Sequence, residues 1–158
     1  MKIKSLVLTV VLASSLSIAS LAQEQVNEID ISLNHIAVYV NDLTKSTDFY
    51  KNILKLKEIP EPFKDGRHTW FTLGRAGQLH LIQGAGKNIK RDKNDHLCFS
   101  VKSIDEFIGR LNQNDLNYTN WPGTEKAPTV RVDGVKQIYF QDPDGHWIEI
   151  NDDASLKH

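Results

Sequence analysis

One cysteine, Cys98, stands in 158 residues. No disulfide can therefore staple the chain within itself, and stability has to come from a packed core, for which a 40% hydrophobic content is sufficient. Charge of one sign is equally absent. Nineteen lysines and arginines against twenty aspartates and glutamates leave a net −1 with the signs interspersed, which argues against nucleic acid or an anionic membrane as partner. A small molecule is the expected partner. No apolar run reaches the ~20 residues of a bilayer span. The longest, Ser5 to Ser17, follows the basic start Met1-Lys2-Ile3-Lys4 and precedes Ser20-Leu21-Ala22, so residues 1–22 read as a secretory signal peptide cleaved before Gln23. No cysteine follows the cut to carry a lipid anchor, and the expected location is the bacterial periplasm or outside the cell, with no membrane association after cleavage. Residues 23–31 read as a polar linker.

What the chain does contain is a strand pattern that occurs twice. Asn34-His35-Ile36-Ala37-Val38-Tyr39-Val40 is matched by Asp95-His96-Leu97-Cys98-Phe99-Ser100-Val101. Alternation along a strand puts His35, Ala37 and Tyr39 on one face and Ile36, Val38 and Val40 on the other, and it divides the second copy the same way. Each copy seats an apolar layer while its opposite face carries a histidine among small or polar neighbours, as a strand does when it lines a cavity.

A helix signal and short strands follow each copy. Asn41 or Asp42 can cap a helix through Leu54, and Ser103 one in which Ile104, Phe107, Ile108 and Leu111 fall at i, i+3, i+4 and i+7. Further strands are expected at Lys55 to Ile59, ended by Pro60 and Pro62, and at His68 to Leu73, Gln78 to Gln83, Leu116 to Thr119, Val135 to Gln141 and His146 to Asn151. The basic run Lys87 to Lys93 reads as a solvated link, and Asp142-Pro143-Asp144-Gly145 as a type I turn. The order is β-α-β-β-β twice, in modules 32–84 and 94–152 of a domain at 32–152. Connections this tight after each helix exclude a parallel Rossmann sheet. The last strand of each module again holds a polar residue between large apolar ones, Leu79-His80-Leu81 and Ile148-Glu149-Ile150. Four potential metal ligands, His35, His80, His96 and Glu149, thus fall at equivalent places of a repeat. Their wider spacing in the second copy is expected to reflect a longer loop within Trp121 to Pro128.

Leu33-Asn34-His35-Ile36-Ala37-Val38 leading into Asp42 to Tyr50, together with Phe140-Gln141-Asp142-Pro143-Asp144-Gly145-His146-Trp147-Ile148-Glu149, resembles the vicinal oxygen chelate superfamily, most closely its glyoxalase I-type members. The resemblance covers nearly all of the mature chain. It implies an α+β fold in which two βαβββ modules form an open, curled mixed sheet around a divalent metal held by His35, His80, His96 and Glu149. Glyoxalase I-like members usually carry Glu at the position of His80. Three imidazoles and one carboxylate leave about +1 on a divalent centre, which makes it a strong Lewis acid, and Zn, Ni, Co, Mn and Fe(II) all accept this donor set.

The resemblance implies a metal-dependent lyase or isomerase that works through an enediolate-type intermediate, with Glu149 as base. Alternatives on the same fold are an Fe(II) dioxygenase, for which His35, His96 and Glu149 form a 2-His-1-carboxylate set, a fosfomycin-type thiol transferase, and a non-catalytic binding protein. The stretch Asn120 to Gln141 lacks the short polar anion and potassium loop expected of fosfomycin-type transfer. Trp70, His68, Tyr39, Trp147 and Arg131 are the candidate substrate-binding residues, with Arg67 a second arginine to test. An open two-module sheet leaves edges and half-built cavities that related proteins close by pairing across a two-fold axis, so a homodimer is expected, each site drawing His35 and His80 from one chain and His96 and Glu149 from the other.

Overall fold

The computed structural model describes residues 31–87 and 89–155; the expected signal peptide lies outside them. Two four-stranded mixed sheets, each with one helix, make up residues 33–155. In the first module β1 (His35–Val40) and α1 (Leu43–Asn52) are followed by β2 (Lys57–Ile59), β3 (His68–Thr72) and β4 (Gln78–Gln83), in the sheet order β1-β4-β3-β2. In the second, β5 (His96–Ser100), α2 (Ile104–Gln113), β6 (Thr129–Val130), β7 (Lys136–Gln141) and β8 (Trp147–Asn151) are ordered β5-β8-β7-β6. The sheets are open, as the paired βαβββ reading requires. In each, the first strand runs parallel to the last and the remaining pairings are antiparallel.

Both helices start where side chains can satisfy free amides. The Asp42 carboxylate accepts from Lys45 N at 3.0 Å and the Ser103 hydroxyl from Glu106 N at 3.2 Å. Their apolar faces and the inward faces of the strands meet in one core that includes Val38, Phe71, Leu79 and Leu81 from the first module and Phe107, Phe140, Ile148 and Ile150 from the second. The Asp142-Pro143-Asp144-Gly145 turn fastens the modules together. Asp144 accepts from Asn41 N and from Ser46 Oγ, both at 2.7 Å, and Asp142 accepts from Tyr50 OH at 2.9 Å.

One expected strand is absent. Leu116 to Thr119 makes only an isolated bridge, Thr119 with Tyr139, and the strand beside β7 is the later, two-residue β6. Asn120 explains the break, because its carboxamide oxygen accepts from Thr124 N and Glu125 N and folds the chain back on itself before a ladder can propagate. The long loop lies where the repeat spacing put it. Strand β2 starts at Lys57 rather than Lys55, whose φ of 59° lies outside the extended region.

Candidate metal half-sites and their relatives

Register makes the repeat equivalence concrete. In the parallel pairings Ala37 faces His80 and Cys98 faces Glu149, each two residues beyond the strand's leading histidine. In the antiparallel pairings Trp70 faces His80 and Tyr139 faces Glu149. Each module thus offers one histidine from its first strand, one donor from its last, and an aromatic ring beside that donor.

The second module's pair brings two candidate donor atoms face to face. His96 Nδ1 donates to the Lys93 carbonyl at 2.8 Å, an acceptor that fixes the proton on Nδ1 and leaves Nε2 as a bare donor. Nε2 stands 3.3 Å from Glu149 Oε2. Donors bound tetrahedrally at ordinary metal distances are about 3.3–3.5 Å apart, so the pair fits two positions of a divalent ion's shell. The Glu149 side chain is held by further donors: Tyr139 OH reaches Oε2 at 2.5 Å, and Asn151 Nδ2 and Cys98 Sγ reach Oε1 at 3.0 and 3.3 Å. Burial by itself would raise the carboxyl's pKa, but the Tyr139, Asn151 and Cys98 hydrogen bonds and the nearby His96 outweigh it and hold Glu149 below the usual carboxylate range. The same contact works in reverse on its neighbours. Desolvation and the Glu149 charge push the Cys98 thiol up to about 12 and raise the Tyr139 phenol as well.

The first module's pair is arranged differently. His35, exposed at the start of β1, has Nδ1 2.8 Å from Asn34 Oδ1. Its ring stacks on His80 with centroids 4.3 Å apart and planes 11° from parallel, and His80 in turn stacks on Trp70 at 3.8 Å. Stacked imidazoles send their in-plane lone pairs along parallel lines rather than to one point, and His80 Nε2 is engaged with Gln78 Oε1 at 2.8 Å. In this arrangement His35 is exposed while His80 forms the middle of an aromatic stack. Desolvation, then the charges of His35 and His68, lower the His80 pKa and favour its neutral form.

The four predicted ligands lie in these two pairs. Among the described residues, no three His, Cys, Asp or Glu side chains come close enough together to hold a metal ion. Two protein ligands compete poorly with water, so neither pair by itself makes a metal centre. Of the candidate substrate residues, Trp70 lies in the His80 stack. His68 donates to Asp65 at 2.9 Å and packs on Phe63, which in turn meets Trp70 edge-on. Tyr39 is half exposed, with its hydroxyl against Gly84. Arg131 is paired with Asp133 and lies 3.8 Å from Asp153, and Arg67 donates to the Gln83 carbonyl.

Trp147 sits beside the second pair, where an unanticipated residue meets it. Lys93, the end of the run read as a solvated link, places its ammonium 4.7 Å from the centroid of the Trp147 ring, 5.4 Å from Tyr139 and 5.9 Å from Trp121. The available signal was its position three residues before His96. Asn151 and Gln78 were also missed, although each lies two residues along the same strand face from a predicted ligand.

Comparison with known proteins agrees with this architecture. Residues 32–150 match the glyoxalase/bleomycin resistance protein/dioxygenase superfamily. The chain is 34% identical over 126 residues to the metallothiol transferase FosB of Staphylococcus saprophyticus, covering 76% of each. Among solved structures it is similar to the fosfomycin resistance protein FosX of Listeria monocytogenes, with a TM-score of 0.63, 27% identity and coverage of 78% of this chain and 92% of that one. The lactoylglutathione lyase of Agrobacterium tumefaciens shares the fold, with a TM-score of 0.57 at 19% identity over 76% and 92% of the two chains. The fosfomycin-type alternative is thus at least as well supported as the lyase reading that the sequence put first. The chain belongs to the glyoxalase/bleomycin resistance protein/dioxygenase superfamily, the vicinal oxygen chelate fold.

Proposed function

We propose that the protein is a metal-dependent enzyme of fosfomycin-resistance type, which adds an external thiol to a small oxygen-chelating substrate such as an epoxide bearing a phosphonate. Metal dependence is supported by the His96–Glu149 pair, oriented through Nδ1 and facing across 3.3 Å, and the fosfomycin-resistance type by the 34% identity to a metallothiol transferase. His96 and Glu149 of one copy, with His35 of a second, would hold one divalent ion of the Zn, Ni, Co, Mn or Fe(II) group. His80 stays in its stack with Trp70. The ion supplies Lewis acidity toward the substrate oxygens. The site would then be shared between two copies of the chain, a reading supported by the absence of any cluster of three candidate ligands among the described residues.

The chain's own residues supply position and protonation. Tyr139, Asn151 and Cys98 fix the Glu149 carboxylate in its charged form, which suits a ligand. The enediolate reading with Glu149 as base stands second, because it is a metallothiol transferase that the chain matches at 34% identity. The attacking thiol is taken to be external, since the Cys98 sulfhydryl is engaged as a donor to Glu149 Oε1 at 3.3 Å. In the addition a carbon–sulfur bond forms as an epoxide carbon–oxygen bond breaks, and the freed oxygen takes up the proton released by the thiol.

The test combines fosfomycin, a thiol such as cysteine or glutathione, and each divalent ion, with the adduct followed by mass spectrometry. Metal-dependent adduct that is lost in His96→Ala supports the reading. Isomerisation of a hemithioacetal without any adduct would replace it with the lyase reading, and oxygen uptake with a catechol and Fe(II) would replace it with the dioxygenase. Export to the periplasm remains part of the proposal, tested by the N-terminus of protein recovered from cell fractions.

A further inference from the structure

We propose that Lys93 is a specificity-determining residue of the His96–Glu149 pair: its ammonium ties the Trp121 loop against the strands that carry the pair and supplies positive charge that favours substrates carrying an anionic group. The inference deepens the proposed function and rests on reading His96 and Glu149 as half of a metal centre.

Lys93 is tied to two parts of the site at once. Its carbonyl accepts the His96 Nδ1 proton, while its Nζ lies 3.0 Å from the Trp121 carbonyl and 3.4 Å from both the Asn120 carbonyl and Thr119 Oγ1. The same ammonium lies beside three aromatic rings, Trp147, Tyr139 and Trp121, and Tyr139 is the residue that hydrogen-bonds Glu149. The loop that carries Trp121 is thereby held against the strands that carry the candidate ligands. A flat aromatic face attracts a cation through its quadrupole, and carbonyl oxygens do so through their dipoles. Lys93 thus adds a second donor to the Asn120 carbonyl, which also accepts from Gly123 N at 3.1 Å, and meets the Trp121 carbonyl and the aromatic faces together.

Every one of those partners is neutral. No carboxylate among the described residues pairs with Lys93, whereas the guanidinium of Arg131 is paired with Asp133 and has Asp153 nearby. Charge that is not cancelled locally, set against a low-dielectric aromatic wall, attracts an incoming anion more strongly than a charge in open water does. A phosphonate or carboxylate entering above His96 would meet this field. A neutral hydroxyketone would not profit from it.

The test uses the full-length protein purified with its metal and follows tryptophan fluorescence on titration with methylphosphonate, an anion, and with dihydroxyacetone, a neutral oxygen chelator. Metal content is measured on the same samples. Lys93→Met should weaken methylphosphonate binding about tenfold, the scale of one lost charge interaction, while Lys93→Arg keeps it within about threefold. Dihydroxyacetone should bind equally well, or equally poorly, to all three proteins. Unchanged methylphosphonate affinity in metal-loaded Lys93→Met overturns the inference. Equal weakening of both probes also overturns it, because it reduces Lys93 to a structural tie, as does a metal-loaded wild type that ignores methylphosphonate. A wild type that takes up no divalent ion contradicts the proposed function, and the inference falls with it.

Discussion

Glu149 is fixed by three donors that differ in what they contribute, and Tyr139 makes the shortest contact, 2.5 Å. Tyr139→Phe removes a hydrogen bond to a buried charge and should cost the metal-free protein about 1.5–3 kcal/mol at neutral pH. The sign of its pH dependence follows from the depressed folded-state pKa of Glu149. Stabilisation from the ionised carboxylate is present in full above the unfolded value of about 4.3 and disappears as the pH falls through the lower folded value. The stability gap between wild type and Tyr139→Phe, measured by urea unfolding in chelator, should therefore narrow below about pH 4. A gap that widens on acidification would mean that the hydrogen bond does not favour the charged form. Cys98 gives a second residue-scale prediction. With its pKa near 12, about 10⁻⁴ of the thiol is ionised at pH 8, so alkylation of the native protein should be orders of magnitude slower than that of a free thiol and should accelerate on unfolding. Fast native alkylation would show that the thiol is not restrained by Glu149. All four candidate ligands were readable as residues because strand phase and repetition single them out. Lys93 was not, because its importance lies in a fold-back of the 119–123 loop that no periodicity announces.

The elements bring these residues together through a few close approaches. Gly77 has φ 104°, and a Cβ there would stand 2.4 Å from the Asn34 carbonyl oxygen, directly beside His35. Gly77→Ala combines a disfavoured backbone with a steric clash and should destabilise the domain by about 2–4 kcal/mol, with denaturant unfolding as the check. Asp144→Ala should cost a similar amount, about 2–4 kcal/mol, because it leaves the Asn41 amide and the fully buried Ser46 hydroxyl without their acceptor. A loss below 1 kcal/mol, roughly the value of one exposed hydrogen bond, would show that the turn does not fasten the modules. Most elements were legible because alternation and helical spacing coincide with caps at Asp42 and Ser103. The strand expected at Leu116 to Thr119 was not formed, because the Asn120 side chain competes for the backbone. That competition is decided by a three-dimensional hydrogen-bond pattern rather than by the β-propensity of Leu116, Tyr118 and Thr119.

At the scale of the whole molecule, two modules share one core and turn their ligand-bearing faces away from it. The sequence shows which residues could bind a metal but not where they meet, since strand phase orders residues within a sheet and carries nothing about the distance between sheets. The structure places them as two pairs, His35 with His80 and His96 with Glu149, and among the described residues no third candidate ligand joins either pair. The central claim is that a second copy completes each half. The most direct test mixes His35→Ala protein with Glu149→Gln protein and measures divalent metal bound after subunit exchange. Each variant alone should bind little. In a two-fold dimer with statistical exchange, half of the dimers are mixed and each mixed dimer contains one intact site, so the mixture should recover about a quarter of wild-type metal binding. Zero recovery, with exchange demonstrated and the wild type binding about one ion per chain, would contradict a shared site and place each metal within a single chain.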